Sequence, residues 1–251
     1  MKVGLFIPCY MNELYPKASM ATLELLEKQG LSVEYPLLQT CCGQPLSNSG
    51  CTKDMEVLAK KFVSLFKEYD YVVAPSGSCV GTVKFQYEQF LKDDKDYASL
   101  KNKIYEVCEF LHDIIKPDSF NSSFPYKVGL HNSCHAHREL GLGSPSERNI
   151  PYFNKIETLL KKVNGIELVS LTREDECCGF GGTFTINESA ISAFMGKDRI
   201  KDHLNAGAEI ITGADLSCLM HLDGLIRREG KPLRVMHVVE ILNGENPHGT
   251  L

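Results

Sequence analysis

The feature that most constrains this sequence is an internal repeat: landmarks of the first half recur in the same order in the second half. The matched pairs are Lys2-Val3-Gly4-Leu5 before Cys9 with Lys127-Val128-Gly129-Leu130 before Cys134, Cys41-Cys42-Gly43 with Cys177-Cys178-Gly179, Tyr71-Val72-Val73-Ala74 before Cys79 with Glu209-Ile210-Ile211-Thr212 before Cys218, and Glu109-Phe110-Leu111 with Glu240-Ile241-Leu242. Four matched landmarks in one order are hard to obtain by chance. The pattern therefore predicts a duplicated chain.

The chain of 251 residues is long enough for two domains of ordinary size. Between the repeated landmarks, residues 117–125 are rich in proline, serine and asparagine, which favour turns. We place the boundary near residue 122, so the predicted domains are residues 1–121 and 122–251.

Apolar strand-sized runs alternate with amphipathic segments in each half. Apolar spacing and helix-end residues predict helices over residues 16–29, 55–69, 152–163 and 190–204. Such alternation predicts an α/β fold of two pseudo-repeated Rossmann-like halves, each a small, mainly parallel sheet flanked by helices. In such sheets sites form where loops leave the carboxyl ends of strands, and the repeated cysteines lie in those loops.

Composition and charge indicate the cellular location in which the ten cysteines lie. The net charge of −5, without any basic tract, argues against nucleic acid as a partner. The longest apolar runs are too short to span a bilayer, so direct membrane insertion is not expected, and the N-terminus is typical of a strand rather than a signal peptide. We therefore predict a cytoplasmic, reducing location, where cysteines are core residues, catalytic thiols or metal ligands.

The repeated cysteines form two sets, which we call the first quartet and the second quartet. The first quartet is Cys9, Cys41, Cys42 and Cys79, and the second is Cys134, Cys177, Cys178 and Cys218. Four thiolates can surround a soft cation or an iron–sulfur core. A glycine after each adjacent pair can adopt positive φ, so that both sulfurs face one centre. Ordinary buried cysteines are common in cores, but eight in two matched sets favour metal or cluster binding.

The sequence resembles the cysteine-rich Cys-Cys-Gly domain family, and within it the lactate-utilisation protein A group, related to the iron–sulfur subunit of glycolate oxidase and to the cysteine-rich subunit of heterodisulfide reductase. The resemblance covers nearly the whole chain. It is carried by Thr40-Cys41-Cys42-Gly43-Gln44-Pro45, Asn48-Ser49-Gly50, Pro75-Ser76-Gly77-Ser78-Cys79, Ser133-Cys134-His135, Arg138-Glu139-Leu140-Gly141 and Cys177-Cys178-Gly179-Phe180-Gly181-Gly182-Thr183-Phe184. It implies a role in oxidising L-lactate to pyruvate within a multi-subunit iron–sulfur complex.

One departure concerns the cluster type. The reductase pattern has five cysteines per site, but here the first position of each Cys-x-x-Cys is Ser76 or Asp215. Four thiolates fit an ordinary [4Fe–4S] cluster in up to two sites, or zinc in one or both sites. The residues alone leave that choice open.

Three histidines flank Cys134 and are lesser candidates. They are His131, His135 and His137, and we prefer His135 as a catalytic candidate because it directly follows the cysteine. Cys51 and Cys108 have no counterparts in the other half, so we interpret both as non-ligands, with Cys108 in the core.

The leading hypothesis is an electron-transferring iron–sulfur subunit of an oxidoreductase complex, a lactate or hydroxy-acid dehydrogenase. Its partners would be other iron–sulfur subunits, with a small hydroxy acid bound here or by a partner. The alternatives are a thiol–disulfide redox protein, like heterodisulfide reductase, and a zinc scaffold without redox chemistry.

Overall fold

The computed structural model describes residues 1–247, so the last four positions of the predicted second domain lie outside the described residues. Two four-stranded sheets are formed, and every strand pair in them is parallel. The strands are β1 (Lys2–Leu5), β2 (Ser32–Glu34), β3 (Tyr71–Ala74), β4 (Ile104–Glu106), β5 (Lys127–Leu130), β6 (Glu167–Leu168), β7 (Ile210–Gly213) and β8 (Arg234–His237). The strand orders β2-β1-β3-β4 and β6-β5-β7-β8 are the same topology used twice, which confirms the predicted fold class.

The register of the central strand pairs is also repeated. Gly4 of β1 pairs with Val72 of β3, and Gly129 of β5 pairs with Ile211 of β7. Strand β3 (Tyr71–Ala74) therefore corresponds to β7 (Ile210–Gly213), and the match to residues 209–212 made from the sequence was wrong by one residue. Parallel central strands place their carboxyl ends side by side. Each half therefore presents the loops after its two central strands at one edge of its sheet.

Thirteen α-helices connect and flank the strands in residues 1–247. They are α1 (Cys9–Leu14), α2 (Pro16–Lys28), α3 (Gln44–Asn48), α4 (Thr52–Phe66), α5 (Gly77–Gly81), α6 (Glu88–Leu91), α7 (Lys95–Lys103), α8 (Val107–Phe110), α9 (Lys155–Leu160), α10 (Thr183–Asn187), α11 (Ser189–Asn205), α12 (Leu216–Glu229) and α13 (Val238–Asn243). Single π-helical turns occupy Thr82–Gln86, Leu111–Ile115 and His135–Glu139, and a 3₁₀ turn occupies Ser146–Arg148.

The helix predictions for residues 16–29 and 190–204 are confirmed by α2 and α11, and α4 begins and ends three residues before the predicted 55–69. The prediction of a helix over residues 152–163 was too long. Phe153 instead exchanges backbone and side-chain hydrogen bonds with Ser144, and the Asn154 side chain caps α9 by accepting from the Glu157 amide at 3.1 Å. The helix therefore starts only at Lys155.

Apolar packing joins the two halves. One cluster of buried residues includes Val3 and Leu25 from the first half and Ile211 and Leu242 from the second. Helix α2 packs on α13, and the Lys28 ammonium donates to Asn243 Oδ1 at 2.6 Å. The division at residue 122 stays a prediction.

Within residues 1–247, no helix combines the length and the apolar character that crossing a membrane requires.

Candidate metal centres

The first quartet comes from three loops at the carboxyl edge of the first sheet. Cys9 begins α1 after β1, Cys41 and Cys42 precede α3, and Cys79 lies in α5 after β3. The side chains form a connected row, in which Cys9 contacts Cys41, Cys41 contacts Cys42, and Cys42 contacts Cys79 through sulfur hydrogen bonds. The structure thus brings together all four predicted residues of this set.

Hydrogen bonds within this row favour the thiolate form of Cys41. Hydrogen bonds from Cys42 and Cys9, with the Gly43 amide donating at 3.4 Å, lower the pKa of the Cys41 thiol to about 3. The same contacts with Cys41, followed by burial, raise the pKa of the Cys9 and Cys42 thiols. Four such close thiols ionise together only when a cation offsets their charge, which is the condition of a metal-binding set.

The second quartet repeats this arrangement. Cys134 contacts Cys177, Cys177 contacts Cys178, and Cys178 contacts Cys218. Hydrogen bonds from Cys134 and then Cys178 lower the pKa of the Cys177 thiol to about 2. The Gly179 amide lies 3.3 Å from Cys177 Sγ, as the Gly43 amide lies beside Cys41. Both halves therefore arrange four sulfurs in the same order.

The glycines after the paired cysteines have the conformation predicted for them. Gly43 has φ of 87° and Gly179 has φ of 89°, a region that residues with a Cβ rarely adopt. A Cβ at Gly179 would also lie 2.6 Å from the Ser192 carbonyl oxygen. Only glycine fits this turn, in which the amides that follow lie 3.3–3.4 Å from sulfurs of the cysteine pair.

The positions of the missing fifth cysteines lie between the two halves. Asp215 is 1% exposed, and its Oδ1 accepts from Ser76 Oγ at 3.0 Å and from the Ser78 amide at 2.9 Å. Its Oδ2 accepts from Ser133 Oγ at 2.5 Å. Ser76 and Asp215 therefore join the halves by a hydrogen bond to each other.

Close packing brings the two sites face to face. Helix α5, which carries Cys79, packs on the turn that follows Cys134, where a Cβ on Gly77 would lie 2.7 Å from Ala136 Cβ. Tyr10 packs against the buried cluster that contains Cys42 and Cys79 and also against the cluster that contains Cys178, and burial raises the pKa of its hydroxyl. One phenol therefore lies between the quartets.

The histidine brought to the sulfurs differs from the one preferred from sequence. His135 has a side chain 43% exposed, with Nε2 3.9 Å from Glu139 Oε2 and 3.5 Å from Gln44 Nε2. His131 is 2% exposed, and a ring nitrogen lies within 4.8 Å of the sulfurs of Cys178 and Cys218. The signal that could have found it is the repeat itself, because His131 aligns with Phe6 three residues before the first cysteine of each half.

Arg138 of the family motif and the two cysteines outside the quartets lie in structural surroundings. Arg138 donates to Glu147 Oε1 at 2.9 Å and to Asp175 Oδ2 at 2.9 Å, so its guanidinium ties two surface segments together. Cys108 is 0% exposed within the apolar cluster, as predicted. Cys51 is exposed directly before α4.

Comparison with known sequences agrees with the cysteine pattern. The family described as Cysteine-rich domain, CCG, matches residues 3–84 and 128–223, which include all eight quartet cysteines. The chain belongs to this family.

Within it, the chain is similar over almost its whole length to curated proteins named Lactate utilization protein A. The protein of Halalkalibacterium halodurans is 41% identical over 247 residues, covering 97% of each chain. That of Oceanobacillus iheyensis is 40% identical over 253 aligned residues, covering 99% of each.

A solved structure supports the fold alone. A hypothetical protein from Helicobacter pylori superposes with a TM-score of 0.65 at 12% identity, covering 96% of this chain and 48% of the other.

Proposed function

We propose that this chain is the iron–sulfur subunit of a complex that oxidises L-lactate to pyruvate, with one cluster held by each quartet. The observation that carries the proposal is the pair of connected thiol rows, each at the carboxyl edge of its own parallel sheet. The lactate part rests on the name of the curated relatives, which are about 40% identical.

The donor set fits an iron–sulfur centre. The cysteines supply soft sulfur ligands, and peptide N–H groups of Gly43, Gly179 and Phe180 point at Cys41, Cys177 and Cys178 at 3.3–3.4 Å. These amides stabilise negative charge on sulfur and hold each turn in place. An iron–sulfur cluster, when bound, supplies one-electron transfer.

A single zinc ion is the alternative occupant of each quartet. Four cysteine sulfurs bind zinc tetrahedrally at about 2.3 Å, so the donor type fits zinc as well as an iron–sulfur core. Metal analysis distinguishes the two.

Electron passage between the centres is supported by their packing. Tyr10 packs against both buried clusters, of which one contains Cys42 and Cys79 and the other contains Cys178. The two halves are also joined through Asp215, Ser76 and Ser133, which fixes one site relative to the other. We infer that electrons pass between the quartets across this interface.

A disulfide reductase is less well supported. Its fifth ligand position in each half corresponds to Ser76 and Asp215, whose polar atoms are used in a bond to each other. Neither is free to open a site-specific iron position.

We further propose that the chain is cytoplasmic and works with other iron–sulfur subunits. Beside the Gly179–Gly182 turn, α10 and α11 expose four large apolar side chains, which supports a protein partner. They are Phe184, Ile186, Ile191 and Phe194, with Ile186 79% and Phe194 72% exposed.

The test is metal analysis and electron paramagnetic resonance after strictly anaerobic purification. We expect about eight iron and eight sulfide per chain, as for two [4Fe–4S] clusters, with a signal on reduction. Co-purified partner subunits should let L-lactate reduce these centres. Zinc near two per chain without iron would contradict the proposal.

A further inference from the structure

His131 is fixed at the point where the second sheet meets its cysteines. It follows β5 directly, and its amide donates to the Thr212 carbonyl of β7 at 2.7 Å. Its own carbonyl oxygen packs against Gly213, where a Cβ would lie 2.8 Å away. Because β7 leads into α12 and Cys218, these backbone contacts hold the imidazole beside that cysteine.

The imidazole is buried without a partner. The residue is 2% exposed, and neither Nδ1 nor Nε2 has a hydrogen-bond partner among residues 1–247. A buried ring with both nitrogens unsatisfied lacks compensation for its lost hydration, and such groups in native proteins call for an explanation such as an ion.

One nitrogen of the His131 ring lies close to two cysteine sulfurs. One nitrogen and the sulfurs of Cys178 and Cys218 all lie within 4.8 Å of one another. This is the one group of three potential metal donors at that spacing in the described residues. Imidazole nitrogen is a good ligand for iron and for zinc.

We propose that His131 is a nitrogen ligand of the metal centre held by the second quartet. This rests on the proposed function, since the quartet must hold an iron–sulfur centre for the imidazole to join it. The second centre then has five protein donors, four sulfurs and one nitrogen, so that one iron of a cube would bind both the imidazole and one of the nearby thiolates, and the first centre has four sulfurs. Asp215 occupies the sequence position of the fifth cysteine, but its carboxylate accepts hydrogen bonds from Ser76 and Ser133. His131 can therefore act as the fifth donor in its stead.

The first half supplies the matched control within the molecule. The residue aligned with His131 is Phe6, whose ring packs edge-on against Phe62 with centroids 4.8 Å apart. A phenyl group fits the repeated position but offers no donor. His131→Phe therefore imports the first-half residue and removes the nitrogen donor.

The experiment uses the full chain, purified anaerobically with ¹⁵N confined to histidine, as wild type, His131→Phe and His203→Phe. His203 is also fully buried with both ring nitrogens unpartnered among the described residues, so it controls for loss of a buried imidazole. Pulsed electron paramagnetic resonance of the reduced samples records coupling of ¹⁵N to the cluster. Iron, sulfide and zinc are measured on the same samples.

We expect a histidine ¹⁵N coupling in the wild type and in His203→Phe, and its loss in His131→Phe. Iron and sulfide with no histidine coupling in the wild type would overturn the ligand assignment and leave the proposed function standing. A coupling that survives in His131→Phe would assign another histidine and overturn it equally. Zinc in place of iron and sulfide would overturn the proposed function and this inference with it. If His131→Phe fails to fold, His131→Gln takes its place: loss of the histidine ¹⁵N coupling supports the assignment, and survival of the coupling overturns it.

Discussion

The two halves share one fold and one order of sulfurs, but the side chains buried behind their cysteine pairs differ in polarity. In the first half Phe6, Phe62 and Phe66 form an aromatic cluster with centroids 4.6–5.8 Å apart. In the second half the corresponding positions are polar, and one of them holds a buried guanidinium. His131 corresponds to Phe6, Arg199 to Phe62 and His203 to Phe66. Phe66 lies against Gly4 and His203 against the matching Gly129, which fixes the correspondence in space.

The loops that lead into the paired cysteines are held in equally different ways. Gln39 in the first half bridges to β1, accepting from the Ile7 amide at 2.9 Å and donating to the Leu5 carbonyl at 3.2 Å. In the second half Arg199 donates to the Arg173 and Glu174 carbonyl oxygens and pairs with Asp202 at 3.1 Å. Topology therefore sets where the sulfurs meet, while the layer behind them sets their electrostatic surroundings.

The largest expected effect is the loss of iron and sulfide when one quartet cysteine is replaced. Cys178→Ser should abolish the second centre and leave the first, halving iron and sulfide per chain, because each quartet is a separate row. Cys42→Ser is the matched variant and should remove the other half of the iron. Equal loss of both centres in either variant would show that the halves share one site.

Breaking the buried ion pair should have the next largest effect. Arg199→Met leaves the Asp202 carboxylate buried and unpaired, which costs about 3–5 kcal/mol and lowers the urea midpoint of unfolding. The control is Arg173→Met, whose pair with Asp198 is exposed and contributes little to stability. Similar midpoints for the two variants would contradict the structural role given to Arg199.

The second half should also be the more acid-sensitive. Burial, with the nearby charge of Arg199, lowers the pKa of His203 to about 2, so the folded ring stays neutral while the unfolded ring protonates below about pH 6.5. Stability from this group is therefore fully present above about pH 6.5 and is lost as the pH falls below it, by about 1.4 kcal/mol per pH unit.

His203→Phe, which copies the first half, should reduce this acid sensitivity. The measurement is the urea midpoint between pH 7.5 and pH 5 for wild type and variant. Parallel curves would mean that His203 takes up its proton in the folded state as well.

The smallest effect is expected at Cys108, which has no counterpart in the second half. Its thiol is fully buried away from the quartets, and burial raises its pKa. Cys108→Ser should leave iron and sulfide per chain unchanged. A drop in iron would make Cys108 a ligand instead of a core residue.

Much of the fold could be predicted from the sequence because the repeat and the strand–helix alternation are local patterns. The two parallel sheets and the positive φ of Gly43 and Gly179 follow from them. Whether the quartets bind metal stays a prediction. Among the three candidate histidines His135 was preferred to His131 because it is next to Cys134 in sequence, whereas strand pairing with β7 decides which ring lies near the sulfurs.

The role of Asp215 could not be predicted for a related reason. Its partner Ser76 is 139 residues away, and Ser133 is 82 residues away. Such contacts depend on how the halves dock, which a pattern within one half does not reveal. The helix predicted over residues 152–163 was too long because a loop contact between Ser144 and Phe153 replaces its first turn.

The most direct measurement is a crystal structure of the anaerobically prepared protein, with anomalous scattering recorded at the iron absorption edge. We expect two separate iron peaks, one bonded to the sulfurs of Cys9, Cys41, Cys42 and Cys79 and the other to those of Cys134, Cys177, Cys178 and Cys218. A single peak shared by the halves, or quartets without iron in a protein that retains activity, would contradict the assignment of one cluster to each half.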